Sequence, residues 1–266
     1  MPANPLSANR KRARLCYAYF TGSPMWCAWQ VTYRCNFRCA FCGYWRSPER
    51  HDAEQTIDDF RIGADKLARL GTLMISLAGG EPLVRDDIVD VVAEVSRKHI
   101  TFLTTNGWRM TPELARDLFD AGLWGVSVSL DYATPEQHDK ARGVKGAWRR
   151  AVRAIEAVSE ARTSPHQRIN IMSVLMHDNL DHIEPLIELA RERDANFMLQ
   201  PYCAMKTGDR AYIPPTGSAK HLVSLKRRHG NFLSNIEFLK KFDHAANGGV
   251  PGCLAGRAFF NIDHRG

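Results

Sequence analysis

The chain has 266 residues, 44% of them hydrophobic and 24% charged, enough apolar material for one large domain or for a domain with an appendage. It holds no apolar run of about 18 residues, so nothing in it reads as a membrane span. The net charge of +7 comes from scattered lysines and arginines that cluster only at 10–14 and 226–228; solvated faces explain this better than a nucleic-acid surface.

No secretory apolar region follows the basic start of the chain. The seven cysteines are odd in number and three of them crowd into one short stretch, which suits metal ligation in a reducing compartment better than a disulfide framework. A cytoplasmic location is expected.

Residues 1–26 read as a basic N-terminal segment. From 27 to 210, β-forming apolar runs alternate with amphipathic stretches, the pattern of repeated βα units around a parallel sheet. Strands are predicted at 28–33, 73–78, 100–104, 125–130, 169–175 and 197–201, and helices at 57–70, 86–98, 112–121, 147–161 and 180–193. Thr111 before Pro112 and Glu113 is a helix start, because the hydroxyl can cap orphan amides and proline suits the first turn. Gly71 and Gly122 stand where helix ends favour a left-handed residue.

Six such units are fewer than the eight of a closed barrel. The expected fold is therefore α/β, an open, partial (β/α)6 TIM-like barrel of parallel strands. Pro214, Pro215 and Gly217 mark a boundary. The remainder, 211–266, is expected to supply one helical segment at about 219–242 and a short extension containing Cys253.

Cys35, Cys39 and Cys42 follow the first predicted strand on a single loop, in the run from Arg34 to Gly43. They offer three thiolates where an iron–sulfur cluster is normally held by four. A cubane held this way keeps one iron open to a ligand that is not protein. The plainer alternative is a structural zinc knuckle with His51 as the fourth ligand, although zinc sites usually pair their ligands as two CxxC-like halves.

The CxxxCxxC spacing, with Phe41 before the last cysteine, resembles the signature of the radical S-adenosylmethionine (radical SAM) superfamily. The resemblance implies a [4Fe–4S] cluster on Cys35, Cys39 and Cys42 whose open iron chelates SAM. It also implies reductive cleavage of SAM to methionine and a 5'-deoxyadenosyl radical that abstracts hydrogen. A flavodoxin or ferredoxin is the expected electron donor, and a basic surface would steer an acidic one toward the cluster.

In parallel βα barrels, chemistry collects at the carboxyl ends of the strands, where the other candidate residues also fall. Gly79, Gly80, Glu81 and Pro82 follow the second strand, and the resemblance assigns them to the methionine end of SAM. Two glycines let a backbone approach a partner closely, although a Gly-Gly pair is also a common turn. Thr104, Thr105 and Asn106 end the third strand and face the cleft or a loop. Ser129 ends the fourth and matches a ribose contact, with interior packing as the alternative.

The loop from Asp131 to Gly143 carries Arg142, which matches an arginine that pairs with the SAM carboxylate; a solvated loop arginine is the alternative. The glycine-containing adenine motif of some relatives is missing from the stretch between Arg168 and Met176, so adenine contacts there are expected to be backbone or apolar, and the backbone of Phe41 is another expected neighbour. Gln200, Tyr202 and Cys203 end the sixth strand and face substrate or pack.

The run from Cys253 to Gly266 resembles the opening of the SPASM or twitch extension, which uses several further cysteines to hold auxiliary clusters. An auxiliary cluster is expected only with a longer carboxyl terminus. The functions this implies are maturation of a peptide or protein, or synthesis of a small-molecule cofactor. A module that holds metal or carries electrons without catalysis is the third reading, and it leaves the Gly-Gly-Glu-Pro turn without a purpose.

Overall fold

Alternating side chains along the strands divide the sheet into an apolar face and a small, polar one. Trp29, Val31, Ile75, Leu77, Leu103, Val126, Val128, Ile169, Ile171, Phe197 and Leu199 are buried in one continuous core. Strand residues between them, among them Gln30, Ser76, Thr104, Ser127, Ser129 and Asn170, point to the other face. The first set buries under helices, and the second lines the inside of a curled sheet.

In the computed structural model, which describes residues 8–204, 207–246, 249, 252 and 254–266, the strands are β1 (Trp26–Thr32), β2 (Met74–Gly79), β3 (Ile100–Thr105), β4 (Gly125–Ser129), β5 (Arg168–Leu175), β6 (Asn196–Pro201) and β7 (Phe259–Ile262). All neighbours are parallel, in the order β6-β5-β4-β3-β2-β1-β7. The helices are α1 (Ala8–Thr21), α2 (Ile57–Leu70), α3 (Ile88–Ser96), α4 (Pro112–Asp120), α5 (Pro135–Arg142), α6 (Ala147–Ala161), α7 (Ile183–Glu192), α8 (Ser218–Arg228), α9 (Ile236–Leu239) and α10 (Phe242–Ala246). Among the described residues no helix is long and apolar enough to cross a membrane.

The predicted helix ends form as expected. Thr111 caps α4 through Leu114 N, and Gly71 closes α2 at φ 97°. Gly63, inside α2, is there for packing, since a Cβ on it would lie 2.4 Å from the Trp29 ring. Helical propensity is given up for close contact with β1.

Four features depart from the sequence reading. A seventh strand, β7, joins the sheet by pairing with β1 from Trp26↔Phe259 to Trp29↔Ile262, so part of the 211–266 segment completes the core sheet. The single helix expected at 219–242 is broken into α8, α9 and α10. After Gly230 the chain runs extended along β6, where Phe197 N donates to Asn231 O and Leu233 N to Phe197 O, each at 2.8 Å, covering that sheet edge.

The basic N-terminal segment contains α1, whose Arg14 donates to the carbonyls of Thr72 and Lys98. That arginine is a structural clamp at the base of the sheet. The fourth departure is α5, which occupies what reads as a loop and becomes part of the site. Cys253 lies outside the described residues.

Candidate active site

The loop from Tyr33 to Asp52 carries the cysteines and is held at its start by the β2 turn. Gly80 N donates to Thr32 O at 2.8 Å and Glu81 N to Arg34 O at 2.9 Å. A Cβ on Gly79 would lie 2.2 Å from Thr32 O, and one on Gly80 would lie 2.1 Å from Arg34 O. Gly79 also has φ 131°, a conformation L side chains rarely adopt. The paired glycines therefore let backbone meet backbone directly beneath Cys35.

The carboxyl end of α5 grips the middle of the same loop. Ala40 N donates to Ala141 O at 3.0 Å, and a Cβ on Gly143 would come within 2.7 Å of Arg38 O. Its far end is anchored by Glu54, which accepts from Thr32, Arg34 and the buried Arg85. Arg85 Nη1 also donates to Val31 O at 3.0 Å and Nη2 to Gln55 O at 3.0 Å. Phe37 packs edge-on to Trp108 with ring centroids 5.7 Å apart, and Trp45 Nε1 donates to Cys39 O at 2.9 Å.

Cys35, Cys39 and Cys42 line one cavity of about 150 Å³. Phe41, Gly79, Gly80, Glu81, Ser129 and Arg142 share that lining, as do Thr104, Thr105 and Asn106. The strand-end rule thus gathers nearly every candidate into one place. Among the residues expected to hold the cluster or SAM, Pro82 is the exception: it is buried as the first residue of a short 3-10 turn and does not line the cavity. Sequence reasoning missed Phe37, Tyr44 and Trp45, which complete the wall.

Glu81 is 1% exposed, and its carboxylate is fully engaged. Oε1 accepts from Leu83 N at 3.0 Å and from the Thr105 hydroxyl at 2.7 Å, and Oε2 accepts from Asn106 N at 2.7 Å. Burial raises its pKa, and the three donors act in the opposite direction. Asn106 Nδ2 in turn donates to Asn36 Oδ1 at 2.8 Å, so Glu81 ties the end of β3 to the cysteine loop.

Arg142 is buried too. Its Nε and Nη2 meet Asp131 Oδ2 at 2.8 and 2.6 Å, and its guanidinium lies 5.3 Å from the centre of the Phe41 ring. Burial opposes its charge, but Asp131 and Cys39 outweigh that and push its pKa above the ordinary arginine value. Tyr202 is turned away into packing, with its hydroxyl donating to Asp209 O at 2.8 Å. Gln200 is exposed, and Cys203 is half-buried.

The donor set suits a thiolate-bound cluster. Burial raises the Cys35 thiol to about 12 and the Cys39 thiol to about 11, the latter opposed by Arg142. Such thiols keep their protons until a metal displaces them. Among the described residues no group of three or more His, Cys, Asp or Glu side chains converges to hold a single metal ion, and exposed His51 does not line the cavity. His51 is therefore not placed beside these cysteines as the fourth ligand of a zinc knuckle.

Comparison with known proteins agrees with this geometry. The AdoMet-dependent heme synthase of Methanosarcina barkeri (strain Fusaro / DSM 804) is 34% identical over 176 residues, covering 66% of this chain and 49% of that protein. The mycofactocin maturase MftC of Mycolicibacterium smegmatis is 29% identical over 239 residues, covering 88% of this chain and 59% of that protein. The chain thus spans about half to three-fifths of the length of these curated relatives.

Among solved structures, Streptococcus suis SuiB bound to S-adenosylmethionine matches with a TM-score of 0.65 at 16% identity, over 95% of this chain and 54% of that one. SuiB bound to its precursor peptide SuiA matches with a TM-score of 0.63 at 17% identity, over 94% of this chain and 52% of that one. This likeness shows the fold. The family model of the radical SAM superfamily matches residues 29–190, more than half of the chain, and with the cysteine loop seated at the strand ends the chain belongs to that superfamily.

Proposed function

We propose that this chain is the catalytic core of a radical SAM enzyme that matures a peptide or protein. One observation carries this reading: three cysteines, the Gly79–Gly80 turn, Ser129 and Arg142 line the same cavity at the carboxyl ends of β1, β2 and β4. When bound on Cys35, Cys39 and Cys42, a [4Fe–4S] cluster supplies the electron that cleaves SAM to methionine and a 5'-deoxyadenosyl radical. The electron comes from a flavodoxin or ferredoxin.

The protein's part is to bind, orient and exclude water. The β2 turn fixes the start of the cysteine loop and presents the methionine-binding edge. Arg142, held by Asp131 through Nε and Nη2, lines the cavity as the cation for a SAM carboxylate. Ser129 supplies a small hydroxyl for the ribose, and Phe41 supplies an apolar neighbour for adenine.

Substrate belongs on the polar inner face of the sheet. A second cavity of about 470 Å³ opens there beside Gln30, Tyr33 and Asn261, and Tyr44 lines both cavities. The peptide reading is supported by similarity to MftC across most of the chain and by the SuiB fold. Synthesis of a small-molecule cofactor is the second reading, favoured by the 34% identity to a heme synthase.

The deciding experiment is anaerobic reconstitution with iron and sulfide, then dithionite and SAM, with 5'-deoxyadenosine as the readout. The expected result is about four irons per chain and nucleoside product. Stoichiometric zinc and no nucleoside would overturn the proposal.

A further inference from the structure

One ion pair in the cavity wall has been withdrawn from solvent, and the chemistry above leaves it only partly explained. Asp131 is 0% exposed and Arg142 8%. Both Nε and Nη2 of Arg142 converge on Oδ2 of Asp131, and Oδ1 accepts from Val174 N at 2.9 Å. The Asp131 backbone is fixed as well, because its N–H donates to His138 Nδ1 at 3.2 Å and its carbonyl accepts from Asn179 Nδ2 at 2.9 Å. This carboxylate has almost no freedom to move.

The held guanidinium lies 5.3 Å from the centre of the Phe41 ring, on the loop stretch between Cys39 and Cys42, and lines the same cavity as both cysteines. Cys42 is also within its electrostatic reach. A charge in so enclosed a place acts strongly on its neighbours, because water does not screen it. Protein charges and hydrogen bonds to the ligating sulfurs are among the factors that set iron–sulfur reduction potentials.

We propose that Asp131 is the counter-charge to Arg142 in the wall beside Cys39, and that the pair together sets the potential at which the cluster takes up its electron. The inference rests on the cluster reading given above. The step is a one-electron transfer from a donor of the flavodoxin or ferredoxin class, and no bond or proton changes place. Arg142 favours the more negative, reduced cluster, and Asp131 cancels part of that pull. The pair therefore lets a positive group stand against the sulfurs without raising the potential by its full effect.

The two halves have opposite signs, which a purely structural role would not reproduce. The test is electron paramagnetic resonance-monitored potentiometry on reconstituted full-length protein without SAM, with iron and sulfide counted for each variant. Asp131→Asn keeps an oxygen for Val174 N and removes the negative charge, and its potential is expected to rise. Arg142→Gln removes the positive charge and is expected to lower the potential. Arg142→Lys keeps the charge and is expected to stay above Arg142→Gln.

Shifts of the same sign, or none, in variants that carry a full cluster overturn the proposal. If Asp131→Asn does not load iron, the comparison of Arg142→Lys with Arg142→Gln decides, and equal potentials in those two overturn it. A wild-type protein that never binds iron and sulfide would overturn the cluster reading itself, a separate result.

Discussion

The carbonyl oxygen of Arg34 lies 2.1 Å from where a Cβ on Gly80 would stand. The obstruction is backbone, which cannot swing aside as a flexible side chain can. Gly80→Ala must therefore push the β2 turn away from the start of the cysteine loop, and Gly79→Ala adds an unfavourable φ. Each is expected to cost about 1–3 kcal/mol or more. Thermal unfolding together with iron content after reconstitution checks this; near-wild-type values for both would refute the direct backbone clasp.

Cys39 is 6% exposed and shares its cavity with Arg142 and the other two cysteines. Replacing it with Ala takes one of three sulfurs from the cavity. The expected outcome is loss of the broad charge-transfer absorption of anaerobically reconstituted protein. Undiminished absorption would count against ligation by this residue.

Glu81→Gln places an amide NH2 where a carboxylate oxygen now accepts from Leu83 N and Thr105, or from Asn106 N. At least one buried donor loses its acceptor, at about 1–3 kcal/mol. The cluster is expected to load, because the sulfurs are untouched. SAM affinity is expected to fall, since the turn and Asn106 lose their common anchor. Equilibrium binding of SAM to the reconstituted variant would show it.

Acid is expected to destabilise the fold. Burial lowers the His99 pKa from 6.5 to about 4, outweighing the carbonyls of Thr72 and Ala64 that face its ring nitrogens. Burial, with Arg142 nearby, also depresses His138, whose Nδ1 accepts from Asp131 N. The unfolded chain binds more protons than the folded one in this range, so stability is full above about pH 6.5 and falls toward pH 4. His99 alone accounts for up to about 3 kcal/mol. Chemical denaturation across this range checks it, and His99→Gln should flatten the slope.

Much of this arrangement could be read from residue order. Strand positions followed from β-forming runs alternating with amphipathic helices, and the cavity followed from the rule that chemistry gathers at strand ends. Three features could not be read that way. Helix α5 buries His138 and Arg142 in place of apolar residues, so it has no hydrophobic stripe, although Thr134, Pro135 and Gly143 do carry start and stop signals.

Strand β7 is only four residues long, and it exists because β1 offers an edge to pair with. The fate of the Arg142 nitrogens depends on Asp131, a contact between residues on different elements that spacing does not reveal. Glycine-rich turns carried a similar ambiguity. Gly79 and Gly80 were recognisable as sites of close approach, but the neighbour they approach is the chain's own backbone.

Pairing of Phe259 with Trp26 joins a late part of the polypeptide to its first strand. During synthesis, β1 stays open on one side until residues 259–262 leave the ribosome, although its cysteines emerge early. An uncovered strand edge invites association with other chains. Nascent protein is therefore most vulnerable to self-association in the interval after β6 has formed, and a chaperone that shields β1 in that interval would raise the soluble yield.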